Sequence, residues 1–222
     1  MGQTLPLFPL GTVLFPGLVL PLNIFEQRYR QLVRDLQEEP EPRRFGVIAI
    51  REGRETGNDG AKTLYEIGCT ATLRHISERN DGGFDVVTVG TDRFQLKSVD
   101  RSGTYLRGEV ELLDEPTGSR SAAKHGVQAV LSAFRTYVDT LAETGAARVS
   151  VPEPPHEPVP LSYLVAACVI ADLPVRQALL EQPDAAQRLA AEHTLLTRET
   201  AMLRSLTAAP APELRYRPYS PN

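Results

Sequence analysis

Cys69 and His75 stand six residues apart in LYEIGCTATLRHI, a stretch whose alternation places both on one face of a strand, where they would make half of a metal site. Zinc takes three or four ligands, the intervening face residues Ala71 and Leu73 are apolar, and Cys168 is the only other thiol in the chain. The pair therefore reads as a core thiol and a strand-end histidine. His156, Ser162 and Asp172 supply the residue types of a hydrolytic triad, but no glycine-flanked elbow surrounds the serine, so hydrolysis is not expected. Asp92 and Arg93 in GTDRFQL have the charges of a catalytic pair and are expected instead to fix a turn between strands or to pair with each other. Glu26, Arg28, Tyr29 and Arg30 crowd one short segment. The single local basic cluster, Arg43, Arg44, Arg51 and Arg54 beside Phe45, is diluted by Glu41, Glu52 and Glu55. No catalytic, cofactor or metal site emerges from these sets.

The elements that must position such residues begin with LPLFPLGTVLFPGLVLPL, residues 5–22, a charge-free run almost long enough to span a bilayer. Pro6, Pro9, Pro16 and Pro21 exclude a membrane helix, because each removes a backbone donor that lipid cannot replace. No basic segment precedes the run, and Pro6 stands where a myristoylation signal needs Ser or Thr, so a cytoplasmic protein without export or membrane attachment is expected. The run reads as two short buried strands around a Pro16-Gly17 turn, since Pro and Gly suit the central positions of a type II turn. In NIFEQRYRQLVRDLQEE, Phe25, Tyr29, Leu32, Val33 and Leu36 recur at helical spacing, with Asn23 as a capping residue and Glu26 four residues before Arg30.

RFGVIAI follows as a strand and REGRETGNDGAK as a loop. LYEIGCTATLRHI and FDVVTVG form a hairpin around RNDGG, and RFQLKSV and YLRGEVELL are two further strands. Beyond Leu113 the pattern becomes helical: Val127, Val130, Leu131, Phe134, Val138 and Leu141 make one stripe. VSVPEPPHEPVP reads as a semi-rigid connector, and the segments from LSYLVAAC to the run ending at Leu206 read as further helices, with Pro174 at a first helical position. Leu189, Leu196 and Leu203 lie seven apart, but His193 and Thr200 interrupt the alternate seam, which favours packing within the chain over a coiled coil. The expected organisation is a β domain with one helix over 1–113, a helical domain over 114–208 and a flexible tail over 209–222.

With 41% hydrophobic and 23% charged residues among 222, the chain has the composition of a globular protein able to bury a core. Before Leu113 there are 14 basic and 16 acidic residues, and after it 10 and 12, so neither half is a basic nucleic-acid module. Two cysteines are too few for a disulfide framework.

In order and spacing, LPLFPLGTVLFPGLVLPLNIFEQRYRQLV, LYEIGCTATLRHI, GGFDVVTVGTDRFQL, YLRGEVELLDE and LPVRQALLEQPDAAQRLAAEHTLL resemble the N-terminal substrate-binding domain of bacterial Lon proteases. The resemblance covers nearly the whole chain. It implies an α+β fold, a PUA-like, mainly antiparallel, partly closed pseudo-barrel followed by an α-helical bundle. Full-length Lon also needs a phosphate-cradling Gly-Lys-Ser/Thr loop and a Ser-Lys protease dyad; the first string does not occur here, and the last lysine is Lys124, so the chain is expected to be non-catalytic. Phe25, Glu26, Arg28 and Tyr29 match the family's FE-x-RY-R pattern, and with Arg93 they are expected to be structural, Arg28 or Tyr29 organising the barrel mouth.

The function expected is a binding module for unfolded or apolar protein segments, with a cellular protease or another protein as a further partner. Leu10, Val13, Phe15 and Leu18 are the candidate contacts, because the opening run holds more apolar side chains than two short strands need. RNA binding by a PUA-like barrel and a small-molecule or enzymatic pocket at the barrel-bundle junction are the alternatives, the first opposed by the acidic balance and the second by the lack of convergent titratable groups.

Overall fold

A computed structural model describes residues 2–53, 61–143 and 153–208, with side chains through residue 205. The tail over 209–222, Arg54, Glu55 and the start of the proline-rich connector lie outside the described residues. The order is β1 (Gln3–Leu10), β2 (Val19–Ile24), α1 (Gln27–Glu38), β3 (Arg44–Gly53), β4 (Ala61–Leu64), β5 (Ile67–Glu78), β6 (Phe84–Asp100), β7 (Arg107–Leu112), then α2 (Arg120–Glu143), α3 (Pro158–Cys168), α4 (Leu173–Leu180) and α5 (Ala185–Ala208).

Five strands close a ring. Antiparallel ladders join β1 to β7, β7 to β6, β6 to β5 and β5 to β3, and β3 returns to β1 through a parallel ladder that starts at Leu7 opposite Gly46. β2 pairs with the first half of β6, and β4 with the end of β3. Period-2 alternation makes β1 a two-sided strand: Leu5 and Leu7 enter a core with Ile48, Phe94 and Val110, while Phe8 faces a second core with Phe45, Val47, Cys69 and the buried face of α1. Phe94 fits because glycine stands opposite it; a Cβ at Gly68 would lie 2.3 Å from its ring. α1 buries Tyr29, Leu32, Val33 and Leu36, the predicted stripe without Phe25.

Several local expectations change. Gly17 has φ +81° and Leu18 N–H donates to Phe15 O at 3.3 Å, which is the Pro-Gly turn foreseen, but the strands flanking it do not pair with each other. Asn23 caps nothing: it lies in β2, where its amide donates to Asp85 Oδ1 at 3.2 Å, and Glu26 holds the N-cap position with an extended backbone. From there Glu26 pairs with Arg28 at 2.9 Å. FDVVTVG and RFQLKSV are one 17-residue strand, β6. Gly90, at the end of FDVVTVG, admits a close backbone crossing: a Cβ there would stand 2.4 Å from Phe15 O. α3 starts inside the expected connector, at Pro158, since proline lacks only an N–H that the first helical turn leaves unbonded.

The bundle core gathers Val127, Val130, Phe134 and Tyr137 of α2 with Leu161, Tyr163 and Val165 of α3 and Leu189 and Leu196 of α5. Leu189 and Leu196 are fully buried inside the chain, as the broken heptad implied. Val13, Phe15 and Ala49 of the barrel segment belong to this same core. Barrel and bundle therefore share apolar packing, and the change of element type near Leu113 falls between β7 and α2.

Candidate functional site

Where β1 ends and α1 begins, the barrel wall is incomplete. β6 carries β7 and β2 along the same side, β7 bonds to Gln3–Pro6 of β1, and β2 bonds to β6 alone among the described strands. Between the end of β1 and β2 lies a cleft of about 100 Å³ lined by Phe8, Pro9, Leu10, Leu22, Phe25 and Tyr29. Phe25 is 56% exposed and Val19, at the start of β2, 63%. Phe25 stays in water beside half-buried Leu10 and Leu22 of the cleft, whereas the alternation along β2 turns Val19 to the face opposite Leu20 and Leu22.

The signature residues frame this cleft. Tyr29 packs on Phe8 with ring centroids 4.2 Å apart, the Arg28 guanidinium lies 4.6 Å over the Tyr29 ring, and Glu26 closes the other side of Arg28. Phe25 falls outside the helix because α1 starts at Gln27, so the helical spacing that grouped it with Tyr29 does not bury it.

The four expected contacts separate. Leu10 borders the cleft and is half-buried; Leu18 is half-buried between the α1-side core and the bundle core. Val13 and Phe15 correct the expectation of apolar surface: they are 6% and 0% exposed. After Leu10 the chain leaves the barrel wall and carries them into the bundle, where Phe15 meets Tyr163 at 6.3 Å and lies under Arg176 at 5.6 Å. Burying that ring contributes about 1.5–3 kcal/mol, which is reason enough for its apolar character.

Arg93 does not pair with Asp92 or fix a turn. It is 2% exposed, and its guanidinium donates through Nε to Glu115 Oε1 at 2.7 Å, through Nη1 to Leu180 O at 2.8 Å and Gln182 O at 2.6 Å, and through Nη2 to Asp114 O at 3.3 Å. Glu115 also accepts from the Tyr163 hydroxyl, whose pKa is pushed far up, chiefly by burial. Arg188, fully buried, stacks 4.0 Å over the Tyr163 ring and donates to Leu179 O at 3.0 Å and Ser162 Oγ at 3.0 Å. This Arg93–Glu115–Tyr163–Arg188 set joins strand, connector and three helices. Only its net of distant partners gives it meaning, and sequence spacing carried no signal for it.

The remaining chemical candidates are inert in this geometry. Ser162 is buried, donating to Val159 O at 2.8 Å while accepting from Arg188, and His156 is exposed. Cys69 is fully buried, and burial pushes its thiol pKa far up; His75 is exposed beyond an irregularity in the ladder. Among the described residues no group of three His, Cys, Asp or Glu side chains could hold a metal ion, and no helix is long and apolar enough to cross a membrane.

Comparison with known proteins gives the class of this five-stranded ring, capped by one helix and followed by a helical bundle. Residues 4–198 match the ATP-dependent protease La (LON) substrate-binding domain, and the chain belongs to that family. It is 28% identical over 204 residues to Lon protease 2 of Myxococcus xanthus, covering 91% of this chain and 24% of that protein. With the Lon protease of Anaeromyxobacter dehalogenans it is 26% identical over 202 residues, 90% of this chain and again 24% of the relative. The chain thus spans about a quarter of the length of these curated relatives. Among solved structures it resembles a Lon N-terminal domain protein from Xanthomonas campestris, with TM-score 0.60, 25% identity, and coverage of 88% of this chain and 98% of that one. The fold is shared with the N-terminal domain of a Mycobacterium avium complex Lon protease, TM-score 0.62 at 18% identity over 90% of this chain and 98% of that one.

Proposed function

We propose that the chain is a non-catalytic module that captures exposed apolar segments of other polypeptides at the cleft between β1, β2 and the start of α1. The observation that carries this reading is the exposure of Phe25 at the edge of an apolar cleft in a chain whose other large aromatic rings are mostly buried. An exposed aromatic flanking a concave apolar surface is the usual anchor of a protein contact. Membership of the substrate-binding family supports a polypeptide as the ligand. Leu10, Leu22 and Phe25 supply contact area in this reading, while Glu26, Arg28 and Tyr29 hold the cleft's rim through the ion pair and ring stacking described above. The acidic balance of both halves disfavours RNA as the ligand.

Fluorescence anisotropy with a labelled unfolded peptide carrying alternating Phe and Leu tests the proposal. Phe25→Ser is expected to weaken binding about tenfold, as loss of one aromatic anchor does, and to leave the melting temperature unchanged because the ring is exposed. Unaltered affinity in Phe25→Ser, or no binding by the wild-type chain in the micromolar range, overturns it.

A further inference from the structure

We propose that the cleft between β1 and β2 selects its segment by one large apolar side chain and not by main-chain pairing, so that the bound polypeptide adds no strand to the barrel. The inference rests on the reading that this cleft binds polypeptide, and it names which segments qualify: those that present a single bulky apolar side chain, extended or not.

Two strand edges border the cleft, and hydrogen bonds fix which way the main chain of each residue points. Gly17 N–H donates to Gly90 O and Gly90 N–H donates to Leu18 O, both at 2.8 Å, which turns the Leu18 carbonyl toward β6. Leu20, two residues on and opposite Thr88, likewise accepts from the Thr88 hydroxyl at 3.0 Å. Main-chain groups alternate along an antiparallel pair, so those of Val19, Pro21 and Asn23 point away from β6 to the free edge of β2. On β1, Leu7 N–H donates to Leu106 O at 2.8 Å on the β7 side. Pro9, two residues further, faces that same side, but β7 starts at Arg107 opposite Pro6, so Pro9 has passed the end of it and lines the cleft instead.

Both edges thus carry proline where a donor would be needed. An added strand pairs with N–H and C=O groups at every second residue of the edge it joins, and proline has no N–H. On β2 the donor is missing from the middle of three outward positions, and on β1 from the outward position that follows the bonded Leu7. Proline in this phase protects an open edge from pairing. Size and polarity decide what enters instead. The cleft measures about 100 Å³. That is below the roughly 300–1,000 Å³ of a small-molecule site and on the scale of the roughly 150 Å³ apolar cavity that takes up one benzene ring. Leu10, Leu22, Phe25 and Tyr29 give it apolar walls, and Glu26, the charged residue of its lining, is already paired with Arg28 at 2.9 Å. One large apolar side chain fills such a space, and its own backbone stays outside.

The test uses the full chain and three labelled peptides of one polar host sequence: the first with a single phenylalanine, the second with alanine in its place, the third with the phenylalanine kept and the two residues on each side of it N-methylated. Alanine is expected to weaken binding about tenfold, whereas N-methylation changes it by less than about twofold. A peptide that joined as a strand would lose about fivefold for each main-chain hydrogen bond removed. Hydrogen exchange of the Val19 and Asn23 amides reads the same question from the protein, and the bound peptide is expected to leave both unprotected. Affinity lost on N-methylation, equal affinity of the alanine and phenylalanine peptides, or protection of both amides overturns the inference. Phe25→Ser separates it from the reading beneath it. Weaker binding in that variant together with sensitivity to N-methylation keeps the cleft as the site and overturns side-chain selection; a Phe25→Ser variant that binds as wild type removes the cleft and this inference with it.

Discussion

Replacing Glu192 by methionine should stabilise this protein, and increasingly so as pH rises. Glu192 lies on α5, fully buried, and neither carboxylate oxygen has a hydrogen-bond partner. The nearby cation, Arg188, spends its donors on Leu179 O, Ser162 Oγ and Gln182 O, so its field reaches the carboxylate without a direct bond. Burial therefore dominates and raises the Glu192 pKa well above the ordinary carboxyl value, Arg188 opposing it. Because the folded chain holds this proton and the unfolded chain releases it, folding stability falls as pH climbs from about 4.5, the unfolded value, toward the raised folded one. A methionine of similar volume removes both the unsatisfied oxygens and the proton linkage. The gain at pH 4 is about 1–3 kcal/mol, the cost of a buried polar group left unpaired, and it grows toward pH 8. For a chain of this size that is roughly 2–4 °C in Tm per kcal/mol. Differential scanning calorimetry of both proteins from pH 4 to pH 8 measures it. The expected result is Tm curves already separated at pH 4, by the unpaired oxygens, that diverge further above pH 5; parallel curves, or a destabilised Glu192→Met throughout, would refute the assignment of a strained, proton-holding carboxyl.

Arg93→Met should cost about 3–5 kcal/mol, roughly 10 °C, because it strands the carbonyls of Leu180 and Gln182 and the Glu115 carboxylate together; a thermal melt within a degree of wild type would show that the bundle docks without it. Gly90→Ala should destabilise by about 1–3 kcal/mol, since its Cβ would stand 2.4 Å from Phe15 O and the crossing segment must shift. Urea titration checks this, and an unchanged midpoint would mean that the crossing has slack.

The elements were legible because their signals are local. Tyr29, Leu32, Val33 and Leu36 lie on one helical face whatever surrounds them, and the Pro16-Gly17 turn and the RNDGG hairpin follow from backbone preferences of those residues. The same local logic erred where a neighbour in space changed the meaning of a residue. FDVVTVG and RFQLKSV read as two strands and are one, crossed at Gly90 by another backbone; Phe25 shared the helical spacing and fell outside the helix by two residues.

Sequence by itself determined the order of the helices and of every described strand but β4, with β6 read as two, the absence of a spanning helix in residues 5–22, and the family resemblance, since each rests on residue types close together along the chain. Tertiary structure alone decided which apolar residues stay in water. Val13 and Phe15 vanish into a core built from helices more than a hundred residues away, and Arg93 finds acceptors 87 and 89 positions downstream. Burial and pairing depend on the groups that close over a side chain. Those groups are fixed only when the β1–β3 ladder shuts the ring and the bundle packs onto it.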